Sequence, residues 1–213
     1  MGPRPAPDIE VVPVQLPGRE HRVAEPASWS ASELVARLTG PMLDHAGQDF
    51  ALFGHSMGAL LAFELSHTLA RHGCTPRHLF VSGFDAPHEL ARSEHPPHAL
   101  TDEELLADVS VLDGTPPEIL ESEEPLQLLL PVLRADSAIT DTYVFTPRRP
   151  LSVPLSVING QDEVLVSQSR LSGWTELSKG PVEFIRLVGD HFYVTSNRSE
   201  LLAVVRRTLL PRA

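Results

Sequence analysis

Residues 49–65 limit the fold more than any other part of the chain: Asp49-Phe50-Ala51-Leu52-Phe53-Gly54-His55-Ser56-Met57-Gly58-Ala59-Leu60-Leu61-Ala62-Phe63-Glu64-Leu65. A short apolar run reads as a buried strand. Gly54-His55-Ser56-Met57-Gly58 then fits G-x-S-x-G, and an apolar-periodic run through Leu65 and Leu69 reads as a helix. Strand, sharp turn and helix form the context in which this motif presents a serine. Side chains flanking that serine would strike the strand and helix, so Gly54 and Gly58 read as removing them. The Ser56 hydroxyl then stands above the sheet at the positive end of the next helix. The Met57 N–H points where a carbonyl oxygen would gain charge. The alternative for the same residues is a plain strand-to-helix turn with Ser56 as an N-cap. A lone serine is a poor nucleophile, so the first reading needs a histidine and a carboxylate downstream.

The 213 residues, 42% of them hydrophobic, suffice for one large α/β domain with a real core. A net charge of -11 argues against nucleic acid and anionic membrane surfaces as partners. No run is long and apolar enough to span a bilayer. No charged segment followed by an apolar one marks a signal peptide. The expectation is a soluble, cytoplasmic protein needing no cofactor and no metal. Cys74 is the single cysteine, which excludes an internal disulfide framework and leaves it as a small buried hydrophobe.

Along the chain, Met1 to Pro7 read as disordered. Ile9 to Val14 read as a strand, although Pro13 is awkward in a central one. Pro17-Gly18-Arg19 is a loop. Ser30 or Ser32 caps a helix through Leu34, Val35, Leu38 and Met42. Arg77 to Ser82 is an apolar strand stopped by Gly83. Residues 87–150 differ in character. Thr101-Asp102-Glu103-Glu104 is a capping-box start for one helix, Gly114-Thr115-Pro116-Pro117 breaks it, and Pro125 to Tyr143 forms a second, leucine-rich helical region. Pro154 to Ile158 is a strand, Ser167 to Leu177 a helix, Val182 to Val188 the last strand and Ser199 to Leu210 a closing helix. Strands alternating with helices imply a mostly parallel sheet with helices on both faces. Active sites in such sheets lie at the carboxyl ends of the strands.

Three candidates lie just past strand ends: Ser56, the pair Asp162 and Glu163, and His191. Their order, Ser–acid–His, is that of the α/β hydrolases. His191 would take the Ser56 proton and return it to the leaving group, while the acid fixes the imidazole tautomer. Of the ten histidines only His191 follows a late strand after the acid. His55 sits inside the turn, where its side chain should point away from the serine. His21, His45, His67, His72, His78, His88, His95 and His98 read as solvated or locally capped, and Asp190 as a loop-shaping residue. Asp162 is the commoner kind of triad acid and Glu163 is equally competent, so both stand.

From about Val11 to its end the chain resembles the type II thioesterases that accompany polyketide and nonribosomal peptide synthetases. The matching segments are Val14-Gln15-Leu16-Pro17-Gly18-Arg19-Glu20, Phe53 to Ala59, Ser82-Gly83 with Ala86-Pro87-His88, and Gly114-Thr115-Pro116. They continue with Leu129 to Asp136, Trp174 and Gly189-Asp190-His191-Phe192. The resemblance implies an α/β-hydrolase fold in one domain, residues 1–213, with residues 87–150 as a helical lid. An ordinary helical pair covering the sheet is the alternative for that block. It implies hydrolysis of the thioester joining an acyl group to the phosphopantetheine arm of an acyl or peptidyl carrier protein, to clear stalled or wrong units. Carried over, Ser56 is the nucleophile, His191 the base and the Met57 N–H half of the oxyanion hole. The family acid stands three residues after a strand-end glycine and eleven before a tryptophan. Counting from Gly160 and from Trp174 reaches Glu163, with Asp162 one residue early.

Family members also begin with a strand and a Phe-Pro-x-Ala-Gly-Gly-type loop upstream of the Gln-Leu-Pro-Gly-Arg segment. That loop supplies the second oxyanion N–H, and its strand lies beside the nucleophile strand. Neither is present before Gln15. Losing them would open a row of backbone donors and acceptors in the sheet and cost roughly 3 kcal/mol of oxyanion stabilisation. A wrongly chosen start codon is the simplest explanation. Two other readings use the same residues: a general carboxylesterase or acyltransferase, and a shortened, inactive carrier-binding remnant. Carrier proteins are usually acidic, as this chain is, so docking should depend on a local patch. Arg19, Arg22, Arg148 and Arg149 are candidates by position.

Overall fold

The computed structural model describes residues 8–45, 49–90, 97–111 and 123–210. Strands β1 (Ala51–His55), β2 (His78–Ser82), β3 (Leu155–Gly160) and β4 (Val182–Leu187) form a parallel sheet in the order β1-β2-β3-β4. The register aligns His55 with Ser82, Ser82 with Ile158, and Ile158 with Ile185. The four carboxyl ends therefore lie in one row, and the segments leaving them share one edge.

Helix α1 (Ala31–His45) precedes β1, and α2 (Met57–Arg71) joins β1 to β2. Helices α3 (Asp102–Val111) and α4 (Glu123–Asp141) both lie between β2 and β3, and among the described residues no strand separates them. Helix α5 (Gln168–Leu171) runs into a 3-10 segment, Ser172–Leu177, before β4, where a single helix was expected. Helices α6 (Tyr193–Ser196) and α7 (Arg198–Leu209) follow β4.

Alternation along the strands divides the core. Leu79, Val81, Leu155 and Val157 pack with Ala59, Ala62 and Phe63 of α2 and with Trp174. Phe80, Ile158 and Ile185 face the other way, onto Tyr193 and onto Leu201 and Val204 of α7. Helices therefore cover both faces, as a parallel sheet of near-continuous apolar strands requires. Leu34 and Val35 of α1 add a second contact layer against Leu60, Leu61 and Leu65 of α2, where half-buried Cys74 also packs.

Local signals hold where a side chain can be checked. Ser30, not Ser32, caps α1, its Oγ accepting the Glu33 N–H at 3.1 Å. Thr101 and Glu104 form the reciprocal capping box: the Thr101 N–H donates to Glu104 Oε2 at 2.8 Å and the Glu104 N–H to Thr101 Oγ1 at 3.3 Å. The segment Leu129 to Asp136 lies in α4 and ties down its surroundings. Arg134 donates to the carbonyls of His98 and Leu100 and pairs with Asp102 at 2.7 Å. Asp136 accepts hydrogen bonds from Arg19 Nη1 and Nη2, at 3.1 and 2.7 Å. The expected disorder of Met1 to Pro7, the break at Gly114 to Pro117, and His95 fall outside the described residues.

One expected element is absent. Residues 9–14 form no strand; Val11 is 75% exposed. Pro13 donates no hydrogen bond, and among the described residues no strand lies beside this segment. Among the described residues strand β1 is an edge of the sheet, and Phe53 on it is 44% exposed. This open side is where the family resemblance puts a further strand. Among the described residues no helix is long and apolar enough to cross a membrane.

Candidate active site

Ser56 sits between β1 and α2 with φ 53° and ψ -127°, a conformation that costs any residue with a Cβ. Its N–H donates to the Ser82 carbonyl at 2.8 Å, and its own carbonyl accepts the Ala59 N–H at 2.8 Å. Its side chain makes no capping hydrogen bond to α2, which removes the plain N-cap reading.

The two flanking glycines are not equivalent. A Cβ on Gly54 would overlap the Gly58 carbonyl and stand 2.6 Å from the Ala59 nitrogen, whereas one on Gly58 would meet nothing within 4 Å. The close approach is therefore of strand backbone to helix backbone, and only Gly54 is sterically required. Gly54→Ala should destabilise the fold by about 3 kcal/mol or more. Gly58→Ala should leave stability unchanged or raise it by up to about 1 kcal/mol, because alanine favours the helix. Urea unfolding of the two variants checks this; equal losses would contradict it.

At the other strand ends, His191 Nδ1 lies 2.6 Å from Glu163 Oε2. The other Glu163 oxygen accepts the Leu165 N–H at 2.7 Å, and the side chain is 1% exposed. Asp162 is exposed and contributes its backbone N–H to the Gly189 carbonyl at 3.0 Å. Of the two expected acids, the geometry pairs Glu163 with His191 and turns Asp162 to solvent. Burial alone would push the Glu163 carboxyl up. The His191 hydrogen bond, the Leu165 and Val164 N–H groups and the His191 charge outweigh it and hold the carboxyl below its ordinary value. The β3 and β4 loops are stitched together: the Gln161 N–H donates to the Leu187 carbonyl at 2.8 Å, and a Cβ on Gly160 would collide with the Asp190 carbonyl. Asp190 shapes its own loop, accepting the Phe192 N–H at 2.8 Å.

Sequence reasoning missed two supports of this site. Asp85, buried in the loop after β2, accepts the Ser167 N–H at 3.0 Å and pairs with Arg170 at 3.3 Å, fastening the segment that follows Glu163. Burial raises its carboxyl pKa despite those bonds. An aspartate just after a strand-end Ser-Gly was the only available signal. The second is His55. Its Nδ1 lies 2.8 Å from Ser82 Oγ, and its ring packs on the His191 ring with centroids 4.7 Å apart. His45 and His72 are locally capped as expected. His67, His78 and His98 are instead packed or paired, with Phe63, Ser156 and Asp141 respectively. His88 packs on Phe145. Three of the four candidate docking arginines have intramolecular carboxylate partners: Arg19 with Asp136, Arg22 with Glu25 and Arg148 with Glu64. Among the described residues no cluster of His, Cys, Asp and Glu could hold a metal ion.

A parallel sheet whose first strand ends in a strained serine, with an imidazole–carboxylate pair leaving later strands, defines the α/β hydrolases. Within that class the thioesterase domain model matches residues 3–209, and the chain belongs to the thioesterase family. It is 40% identical over 205 residues to linear gramicidin dehydrogenase LgrE of Brevibacillus parabrevis, covering 94% of this chain and 78% of that protein. It is 36% identical over 199 residues to thioesterase PikA5 of Streptomyces venezuelae, covering 92% and 69%. The structure of the type II thioesterase BorB from the borrelidin biosynthetic cluster superposes with a TM-score of 0.87 at 35% identity, over 95% of this chain and 82% of that one. LgrE carries a dehydrogenase name; no glycines of this chain are spaced as the G-x-G-x-x-G of a dinucleotide site.

Proposed function

We propose that this chain releases acyl groups from the phosphopantetheine arm of acyl or peptidyl carrier proteins, clearing stalled or aberrant units in a polyketide or nonribosomal peptide pathway. The observation that carries this reading is the strained Ser56 at the same row of strand ends as the His191–Glu163 pair. Ser56 Oγ attacks the thioester carbonyl while His191 Nε2 takes its proton. Glu163 holds the other imidazole nitrogen as the N–H tautomer and offsets the charge formed on the ring. The Met57 N–H, at the start of α2, donates to the oxyanion. Collapse of the tetrahedral intermediate breaks the carbon–sulfur bond, and His191 returns the proton to the departing pantetheine sulfur. Water, deprotonated by His191, then attacks the acyl-serine; His191 returns that proton to Ser56 Oγ as the ester bond breaks, which frees the carboxylic acid and restores the serine.

Residues 87–150 act as the lid of this site. The half-buried Leu126, Leu129 and Leu130 on α4 suit apolar acyl chains of varied shape. The cytoplasm, where carrier proteins are loaded, is the compartment this substrate implies. The test is hydrolysis of an acetyl or propionyl carrier protein against the matching p-nitrophenyl ester. A kcat/KM at least about tenfold higher on the carrier thioester is expected. Equal or better use of the oxygen ester would favour a general carboxylesterase.

A further inference from the structure

Behind His191 the fold builds a second, half-buried imidazole that the acyl-transfer steps do not use. His55 leaves the end of β1, and its ring stands against the His191 ring at 4.7 Å between centroids with 44° between planes. Its Nδ1 lies 2.8 Å from Ser82 Oγ at the end of β2, and that hydroxyl shares a short hydrogen bond with the Tyr193 hydroxyl. Tyr193 is 0% exposed, and its ring stands perpendicular to that of His55 at 5.9 Å between centroids. The space around the pair is closed from below. Gly83 has φ +58°, and a Cβ there would come within 2.7 Å of His55 Cε1 and 3.2 Å of His191 Cε1.

The Glu163 hydrogen bond fixes only one corner of the His191 ring. A ring held at Nδ1 alone can still pivot about that bond, and the pivot carries Nε2 sideways, away from the serine proton. Blocking it requires rigid surfaces against the ring; Phe192 stands perpendicular to it at 5.3 Å between centroids, and His55 comes nearer, at 4.7 Å, and is the one of the two anchored by a side-chain hydrogen bond. Burial first, and the nearby His191 charge second, lower the His55 pKa to about 4, so this wall is neutral when the base works and does not oppose an imidazolium beside it.

We infer that His55, anchored through Ser82 to Tyr193, is a positioning residue that holds His191 in the plane from which it exchanges protons with Ser56. This rests on the roles proposed above for Ser56 and His191. Three variants test it: His55→Ala, which removes the wall; His55→Phe, which keeps a flat ring but loses the anchor; and Ser82→Ala, which loosens the anchor alone. Each is titrated to completion with a fluorophosphonate, and turnover of an acyl carrier protein is expressed per labelled serine. Failure of the wild-type protein to label would strike the serine mechanism itself, separately from this inference.

His55→Ala is expected to lower kcat per labelled serine about 10- to 100-fold at unchanged KM, the size of effect that a small misplacement of a reacting group causes. His55→Phe should recover most of that loss, and Ser82→Ala should show a several-fold loss of the same kind. A merely structural histidine would lower the melting temperature and the number of labelled serines without changing the rate of each one. Wild-type kcat per labelled serine in His55→Ala would overturn the inference. Should that variant yield no folded protein, wild-type kcat in Ser82→Ala together with an uncorrected loss in His55→Phe would do so.

Discussion

Ser56→Ala should reduce acyl release from a carrier protein by about 10^6-fold in kcat, the scale on which a nucleophile that works as a unit with its base is lost. The expectation is sharper for being paired with a second substitution at the same residue. Ser56 holds φ 53° and ψ -127°, which alanine tolerates no better than serine and glycine adopts freely. Ser56→Ala should therefore be inactive with unchanged stability, because it keeps the Cβ and the strain. Ser56→Gly should be equally inactive and about 1–3 kcal/mol more stable, the usual cost of such a backbone conformation. Mass spectrometry of the acyl carrier protein reads the first effect and urea unfolding reads the second. Residual turnover in Ser56→Ala within tenfold of wild type would remove Ser56 from the chemistry. A Ser56→Gly protein no more stable than Ser56→Ala would mean that the turn stores no strain.

The strained turn was legible in the sequence because its causes are local. Two glycines, a serine between them and an apolar run on either side need no information from elsewhere in the chain. What the sequence could not weigh was which glycine mattered. That depends on how closely α2 returns over β1, a packing distance, and it singles out Gly54. The acid was ambiguous for the same reason. Asp162 and Glu163 are neighbours of similar chemistry, and only the turn bonded through the Asp162 N–H to Gly189 decides which side chain goes inward. His55 was read as pointing away from the serine and otherwise passed over, since its partners come from Ser82, His191 and Tyr193, far along the chain. Residues 9–14 show the opposite failure. Their local pattern is strand-like, but a strand needs a neighbour to hydrogen-bond, and none lies beside them among the described residues.

Glu163→Gln should lower kcat by about 10^4-fold, while Asp162→Asn should stay within about threefold of wild type. A glutamine keeps the shape of the buried side chain but can offer its amide N–H to His191 Nδ1, which stabilises the wrong tautomer and leaves the forming imidazolium without its counter-charge. Asp162, exposed and contributing only its backbone to the loop, has no such leverage. The same pair predicts a difference in acid stability. The folded state holds the Glu163 carboxyl below its ordinary value of 4.5, so the unfolded chain binds the proton more readily. Stability from this group is complete above pH 4.5 or so and is lost as the pH falls through the folded pKa. Glu163→Gln lacks that component, so between pH 5 and about 3 its melting temperature should fall less steeply than that of the wild type. Kinetics with acyl carrier protein at neutral pH and thermal melts across the acid range measure the two effects separately. Loss of activity in Asp162→Asn with retention in Glu163→Gln would reassign the acid. Parallel acid melts in wild type and Glu163→Gln would show that the short bond to His191 confers no preference for the ionised carboxylate.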